Sequence, residues 1–214
     1  MRTPQLMGVF GGTFDPVHYG HLRTARAAVQ QVGLGCLRIL PCYQPVHREL
    51  PVGTAEQRVA MLRLALQEFP EFELDLRELS RGGASYSYDT LEGLHQEFPD
   101  AHLCLLIGAD AFLKFTEWYR WRDILNIAHV LVMVRPGYRI FSDVSGNDLL
   151  QQYGANKESE LTERAAGRIL PVAVPELDIS STMIRERLRK GESISGLLPP
   201  ALEEWLKQQS IYMN

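Results

Sequence analysis

Cysteine is scarce and unpatterned in this sequence. Cys36, Cys42 and Cys104 are all there is, they form no C-x-x-C pair, and their number is odd. That argues against a disulfide framework and fits a reducing compartment. Long apolar runs are missing as well: no stretch approaches the roughly 20 residues that a membrane-spanning helix needs. The first residues lack the apolar core of a secretory signal, so the expectation is a cytoplasmic protein without a membrane partner. Basic charge is not in excess either. The 22 Lys and Arg stand against 26 Asp and Glu, a formal net charge of −4, which offers no global basic field to DNA or RNA. Repeats, heptads, low-complexity tracts and a dividing linker are also lacking. At 214 residues, 45% of them hydrophobic, the chain is long enough for one sizeable core and short for two. Residues 1–214 are therefore expected to form a single domain.

What is present centres on residues 6–24. Leu6 to Phe10 is a short apolar run that ends at Gly11-Gly12, the pattern of a buried strand entering a tight turn. Asp15-Pro16, His18, Gly20 and His21 follow, and a helical pattern begins at Leu22. A strand, a Gly-rich turn and a helix start make an anion site, because helix N-termini present unpaired N–H groups. Two imidazoles three residues apart lie close to one face of that helix start, so a phosphate held by backbone N–H groups and two His donors is the natural occupant. Other readings fit less well. No Lys follows the glycines, which removes a Walker-type loop, and a G-x-G-x-x-G is absent. Zinc at the H-x-x-H pair would need further ligands, and no Cys or carboxylate cluster sits close by.

Along the chain, helix one is expected from about Gly20 to Val32 on an apolar stripe of Leu22, Ala25, Ala28, Val29 and Val32, ended by Gly33 and Gly35. Cys36 to Leu40 reads as a second strand, which makes a parallel crossover unit. The Pro-rich loop from Pro41 to Gly53 holds Pro45-Val46-His47-Arg48. Thr54 and Gln57 predict a capping box and a structural helix to about Phe69, with Val59, Leu62, Ala65, Leu66 and Phe69 inward. Phe72 to Leu79 alternates as a half-exposed strand, and Ser80 to Ala84 reads as a turn. Ser85 to Leu91 opens a helix with hydroxyls that could cap it. His102 to Ile107 and His129 to Val134 are buried strands, and Asp110 and Arg135 follow their carboxyl ends. Trp118, in a Trp-Tyr-Arg-Trp cluster, reads from its residues alone as a core aromatic. Residues 138–166 carry little pattern, and Arg168 to Val174 is a last strand. Ile179 to Arg185 places three hydroxyls at a helix start; capping needs one, so the surplus points to a ligand. Pro199 to Gln208 closes the chain as a structural helix. The fold class is α/β: a doubly wound, Rossmann-like parallel sheet of five to six strands with helices on both faces.

Gly11-Gly12-Thr13-Phe14-Asp15-Pro16-Val17-His18-Tyr19-Gly20-His21 resembles the signature of the H-x-G-H nucleotidyltransferase superfamily, and more narrowly of bacterial nicotinate-mononucleotide adenylyltransferases. Ser85-Tyr86-Ser87-Tyr88-Asp89-Thr90-Leu91, Ile107-Gly108-Ala109-Asp110 with Trp118, Arg135-Pro136-Gly137 and Ser180-Ser181-Thr182 with Arg185 continue the resemblance in order. Two departures are Val46-His47-Arg48, where the family has Pro-His-Lys, and Ser87, where Thr is usual. The resemblance implies adenylyl transfer from ATP to nicotinate mononucleotide, with Mg²⁺ carried mainly by the ATP phosphates and no chain residue as a metal ligand. It implies catalytic roles for His18, His21 and Arg185. ATP and its phosphates would meet Gly11, Gly12, Phe14, Arg48, Gly108 and Arg135, together with Ser180, Ser181 and Thr182. Nicotinate mononucleotide would meet Asp15, Ser87, Asp110, Trp118 and Tyr119. Phosphopantetheine adenylyltransferases and cytidylyltransferases share the first motif, and a non-catalytic nucleotide-binding regulator could use the same scaffold.

Overall fold

The computed structural model describes residues 5–46, 50–135 and 144–213 (backbone alone over 144–147). Six strands form one sheet: β1 (Leu6–Gly12), β2 (Cys36–Pro41), β3 (Phe72–Leu74), β4 (His102–Gly108), β5 (Ala128–Val134) and β6 (Ile169–Ala173). All neighbours pair in parallel, in the order β3-β2-β1-β4-β5-β6. This is the doubly wound, Rossmann-like order that the sequence predicts. The order reverses between β1 and β4, and open α/β sheets bind ligands beyond the carboxyl ends of the strands at such a point.

Residues alternate between the two faces of each strand, and both faces are covered. Leu6 and Phe10 of β1, Cys104 and Leu106 of β4, and Leu131 and Met133 of β5 enter one apolar layer. That layer is closed by α1 (Tyr19–Val32), α2 (Ala55–Ala65), α8 (Ser181–Arg189) and α9 (Pro200–Gln209). Met7 and Val9, Leu103 to Ile107 at alternate positions, and Val130 and Val132 enter the other. There α4 (Ser87–Glu97), α5 (Ala109–Phe112) and α6 (Trp121–Ile127) supply Leu91, Leu94, Phe112 and Ile124, and α7 (Val144–Tyr153) adds Leu149. Helix α1 ends as expected: Gly33 takes the left-handed conformation (φ 74°) and its N–H reaches Val29 O. The Thr54–Gln57 capping box forms in both directions. Among the described residues no helix is long and apolar enough to cross a membrane.

Four local expectations change. Helix α2 stops at Ala65 and continues as a 3₁₀ turn, Leu66–Glu68. Its buried face is Arg58, Met61, Leu62 and Ala65, with Val59 turned partly outward, because the Arg58 side chain is drawn under the first loop. The expected strand from Phe72 to Leu79 is only Phe72–Leu74; Asp75 accepts the Arg77 N–H and the chain turns into the short helix α3 (Arg77–Arg81). No hydroxyl caps α4: Tyr86 is its N-cap, and Ser85 Oγ accepts the N–H of Tyr43 in the loop after β2. The weakly patterned region holds α7 and a 3₁₀ turn, Glu158–Leu161, while Pro136-Gly137 and the residues up to 143 lie outside the described ones. Fully buried His129 ties that region to the sheet. Its Nδ1 accepts the Arg168 N–H at 3.1 Å, which puts the proton on Nε2, 3.1 Å from Arg164 O.

Candidate active site

The loop between β1 and α1 carries the two imidazoles. Their rings stack at 3.8 Å between centroids with a 28° tilt. His18 is buried (4% exposed), and its Nδ1 has no hydrogen-bond partner among the described residues. Burial, and then the neighbouring His21, pushes the His18 pKa from the ordinary 6.5 down to about 2, so the ring is neutral in the free protein. Gly20 is explained by this ring. A Cβ there would lie 2.8 Å from His18 Nδ1 and 3.0 Å from the carbonyl of Ile179, so the glycine of H-x-G-H makes room for the histidine and for the α8 approach. Phe14, a non-glycine residue at φ 52°, packs edge-on against His21 at 5.2 Å and against Phe10 at 5.7 Å. Its ring fills the space a Cβ on Gly12 would need (2.9 Å), which gives Gly12 a packing reason. Gly11 and Gly108, at the ends of the adjacent strands β1 and β4, meet nothing within 4 Å of an added Cβ. Main chain is therefore open to an incoming group at the switch point.

Helix α8 is bound to this loop from the far end of the chain. Ser180 caps α8 by accepting the Met183 N–H, Ser181 Oγ donates to Pro16 O at 2.9 Å, and Thr182 Oγ1 accepts from Arg185. The surplus hydroxyls thus have internal partners as well as exposure. Arg185 Nη1 donates to Asp15 O at 2.7 Å and lies 3.9 Å from the Asp15 carboxylate. Asp15, whose peptide bond to Pro16 is cis, is only 5% exposed. Its carboxylate accepts from Val52 N (2.8 Å), Gly53 N (2.9 Å) and the Tyr212 hydroxyl (2.6 Å). Arg58, 1% exposed, donates to Thr13 O at 2.9 Å. Sequence reading missed Arg58 and Tyr212. Arg58 leaves a trace, a cation three, four and seven residues before Met61, Leu62 and Ala65 on the apolar face of α2; Tyr212, 197 residues from Asp15, leaves none.

A second group of expected residues lies over β4 and α4. Ser87 begins α4, and further along the helix the Thr90 hydroxyl donates to Oε1 of buried Glu78 at 2.8 Å; burial raises the Glu78 pKa. Ser85 N donates to Gln44 O, which joins the loop after β2 to this helix start. Trp118 is half-buried against Phe115 (5.5 Å), and exposed Tyr119 sits 4.6 Å from the Tyr86 ring, so the Ser87 and Trp118 segments adjoin. Arg120 takes φ 54° and lays its guanidinium over Tyr88 at 3.8 Å. Asp110 stands exposed in α5 just beyond β4, and Arg135 is exposed just beyond β5. Arg48 and the neighbouring His47 lie outside the described residues.

A doubly wound sheet with a stacked H-x-G-H pair and a Ser-Ser-Thr-x-x-Arg helix at its switch edge defines a nucleotidyltransferase of the H-x-G-H type. The family pattern described as cytidylyltransferase-like matches residues 9–187. The "Probable nicotinate-nucleotide adenylyltransferase" of Methylococcus capsulatus is 42% identical over 208 residues, 97% of this chain and 99% of that one. The protein of the same description from Hydrogenovibrio crunogenus is 40% identical over 212 residues, 99% and 100% of the two chains. The chain belongs to the cytidylyltransferase-like family and, within it, to the bacterial nicotinate-nucleotide adenylyltransferases. Among solved structures, Plasmodium falciparum nicotinic acid mononucleotide adenylyltransferase complexed with NaAD is similar in fold: TM-score 0.71, 16% identity, 97% of both chains covered.

Two outcomes follow from the buried rings. The pKa of His129 is lowered by burial to about 4, as that of His18 is to about 2. Below pH 6.5 the unfolded chain protonates both rings while the folded chain does not, so stability falls as pH falls. The loss is up to about 1.4 kcal/mol per pH unit per ring, down to about pH 4 for His129 and further for His18. Urea unfolding at pH 7.5, 6 and 5 measures it; equal stability at all three would contradict the burial. Gly20→Ala, near a helix start where Ala is the better former, is expected to keep the far-UV spectrum and lose about 10²-fold in turnover by displacing the His18 ring. Unchanged turnover would sink the steric account.

Proposed function

We infer that the protein is a nicotinate-nucleotide adenylyltransferase. It joins nicotinate mononucleotide to ATP, giving nicotinate adenine dinucleotide and pyrophosphate in NAD biosynthesis. The observation that carries this is kinship at about 40% identity over the full length with enzymes described for that activity. The chemistry agrees with it. A phosphate oxygen of nicotinate mononucleotide attacks the α-phosphorus of ATP, a new P–O bond forms, and the bond to the pyrophosphate oxygen breaks. A phosphate monoester is already ionised near neutral pH, so neither a protein nucleophile nor a strong base is required. The protein's part is alignment and neutralisation of charge on the leaving group.

In this reading His18 and His21 donate to the α- and β-phosphates. The stacking of His21 on the buried, neutral His18 supports that assignment, since a neutral imidazole can donate one N–H and a bound polyanion favours a second proton. Gly11 and Gly12 present main chain to the phosphates, with Phe14 packed behind them. Ser180, Ser181, Thr182 and Arg185 take the β,γ end from the α8 N-terminus, a task the sequence also gives to Arg48; Gly108 and Arg135 flank the adenosine. The N–H groups of Ser87 and Tyr119 and the indole of Trp118 receive the nicotinate, with Asp110 at the ribose. Asp15 was expected at the acceptor too; its carboxylate has three donors of its own, so its side chain serves the loop.

A divalent cation, Mg²⁺, supplies charge neutralisation when bound. We assign it to the substrate's phosphates, because the N–H and hydroxyl donors around the His pair suit an anion rather than a cation. Residues 1–214 are proposed to work as one domain, since both apolar layers share one sheet. A cytoplasmic location with ATP and nicotinate mononucleotide as partners, and no nucleic acid, completes the proposal.

Pyrophosphate release from ATP with Mg²⁺ tests it, with nicotinate mononucleotide, nicotinamide mononucleotide and phosphopantetheine as acceptors. Preference for the nicotinate form is expected; preference for phosphopantetheine would overturn the acceptor assignment. His18→Ala and His21→Ala are each expected to lower turnover about 10²–10³-fold with little change in substrate binding. An equal loss in binding would remove their catalytic role.

A further inference from the structure

We propose that Tyr212 is a positioning residue for adenylyl transfer, acting through Asp15 on the phosphate-binding loop and Arg185; this rests on the reading above. After α9 the chain reverses through two non-glycine residues in the left-handed region, Ser210 (φ 51°) and Tyr212 itself (φ 68°). Each such residue carries a conformational cost that its surroundings must offset. The reversal buries the Tyr212 ring (5% exposed) and puts its hydroxyl 2.6 Å from Asp15 Oδ1, with Met61 Sδ at 3.8 Å.

The contact is close on every side. A Cβ on Gly53 would lie 2.9 Å from Asp15 Oδ1 and 3.0 Å from the Tyr212 hydroxyl, so no side chain or water stands between the three. Without the hydroxyl, Oδ1 would keep only the Gly53 N–H as a hydrogen-bond donor, a costly state for a buried carboxylate. The carboxylate would turn toward other donors or admit water. Asp15 cannot move alone, because its carbonyl holds Arg185 Nη1 and its neighbour Pro16 holds Ser181. The displacement therefore reaches a proposed phosphate donor, while the segments assigned to the nicotinate ring (Ser87, Trp118, Tyr119) lie on the opposite apolar layer. Small misplacements of aligned groups reduce rate more than they reduce binding.

Tyr212→Phe, which removes one oxygen, is the test, with Leu206→Ala on α9 as a purely structural comparison. Well below the melting midpoint, Tyr212→Phe is expected to lower kcat about tenfold with the KM for ATP and for nicotinate mononucleotide each within about twofold. Leu206→Ala is expected to lower the midpoint at least as far and to keep kcat. Unchanged kcat in Tyr212→Phe, or the same loss in both variants, overturns the proposal. Amide hydrogen exchange judges the clamp apart from the reaction: Val52 and Gly53 should exchange at least about tenfold faster in Tyr212→Phe, with α4 unaffected. Equal protection would overturn it even in an active enzyme. A wild-type protein that released no pyrophosphate would instead refute the reaction, leaving the exchange result to decide the clamp.

Discussion

A buried carboxylate has to be surrounded by donors, and in this protein the surroundings of Asp15 come from distant parts of the chain. Val52 and Gly53 arrive from the loop after β2, Arg185 from α8 and Tyr212 from beyond α9. Leaving such a group unpaired costs several times what one of its hydrogen bonds contributes, so the constraint acts mainly by forbidding other arrangements. The loop between β1 and α1 is thereby held from outside, which lets its own inner face carry main chain and two imidazoles with few internal ties. Arg58 under Thr13 O and Phe14 against Gly12 complete the support from below.

The electrostatics of the loop are those of a site waiting for charge. His18 is neutral in its buried position, and the donors around it are a neighbouring imidazole, hydroxyls and a guanidinium already tied to a carbonyl. The chain as a whole, at net charge −4, offers an anion no general attraction. In the proposed reading, specificity for a polyphosphate rests on many directed donors meeting many oxygens, rather than on attraction at long range.

The sheet was legible in the sequence because buried parallel strands read as continuous apolar runs between Gly and Pro, as at Leu6–Phe10, His102–Ile107 and His129–Val134. The stretch from Phe72 to Leu79 misled because its alternation continues past Asp75, whose side chain takes the Arg77 N–H and starts a helix. The H-x-G-H loop and the Ser-Ser-Thr-x-x-Arg helix were also legible, as hydroxyls, glycines and imidazoles at helix starts. Their division of labour was not. That Gly20 clears space for the His18 ring depends on side-chain packing that spacing does not show, and that Ser181 holds Pro16 O follows only from elements brought together across 165 residues. Ser85 to Leu91 shows the same limit: its hydroxyls look like caps locally, yet Ser85 serves the loop after β2.

The distances along the chain between these partners also set an order of events during synthesis. Tyr19 N–H bonds Leu197 O, Ser181 meets Pro16 across 165 residues, and Arg185 meets Asp15 across 170. A ribosome that has produced the first half of the protein has already made the complete histidine motif together with β1 and β2. Yet the nascent polypeptide has no helix to close over the loop and no hydroxyl to meet Asp15. The histidine motif therefore gains its clamps only once residues 181 to 212 have been made, and a shorter nascent chain lacks the contacts that hold the loop.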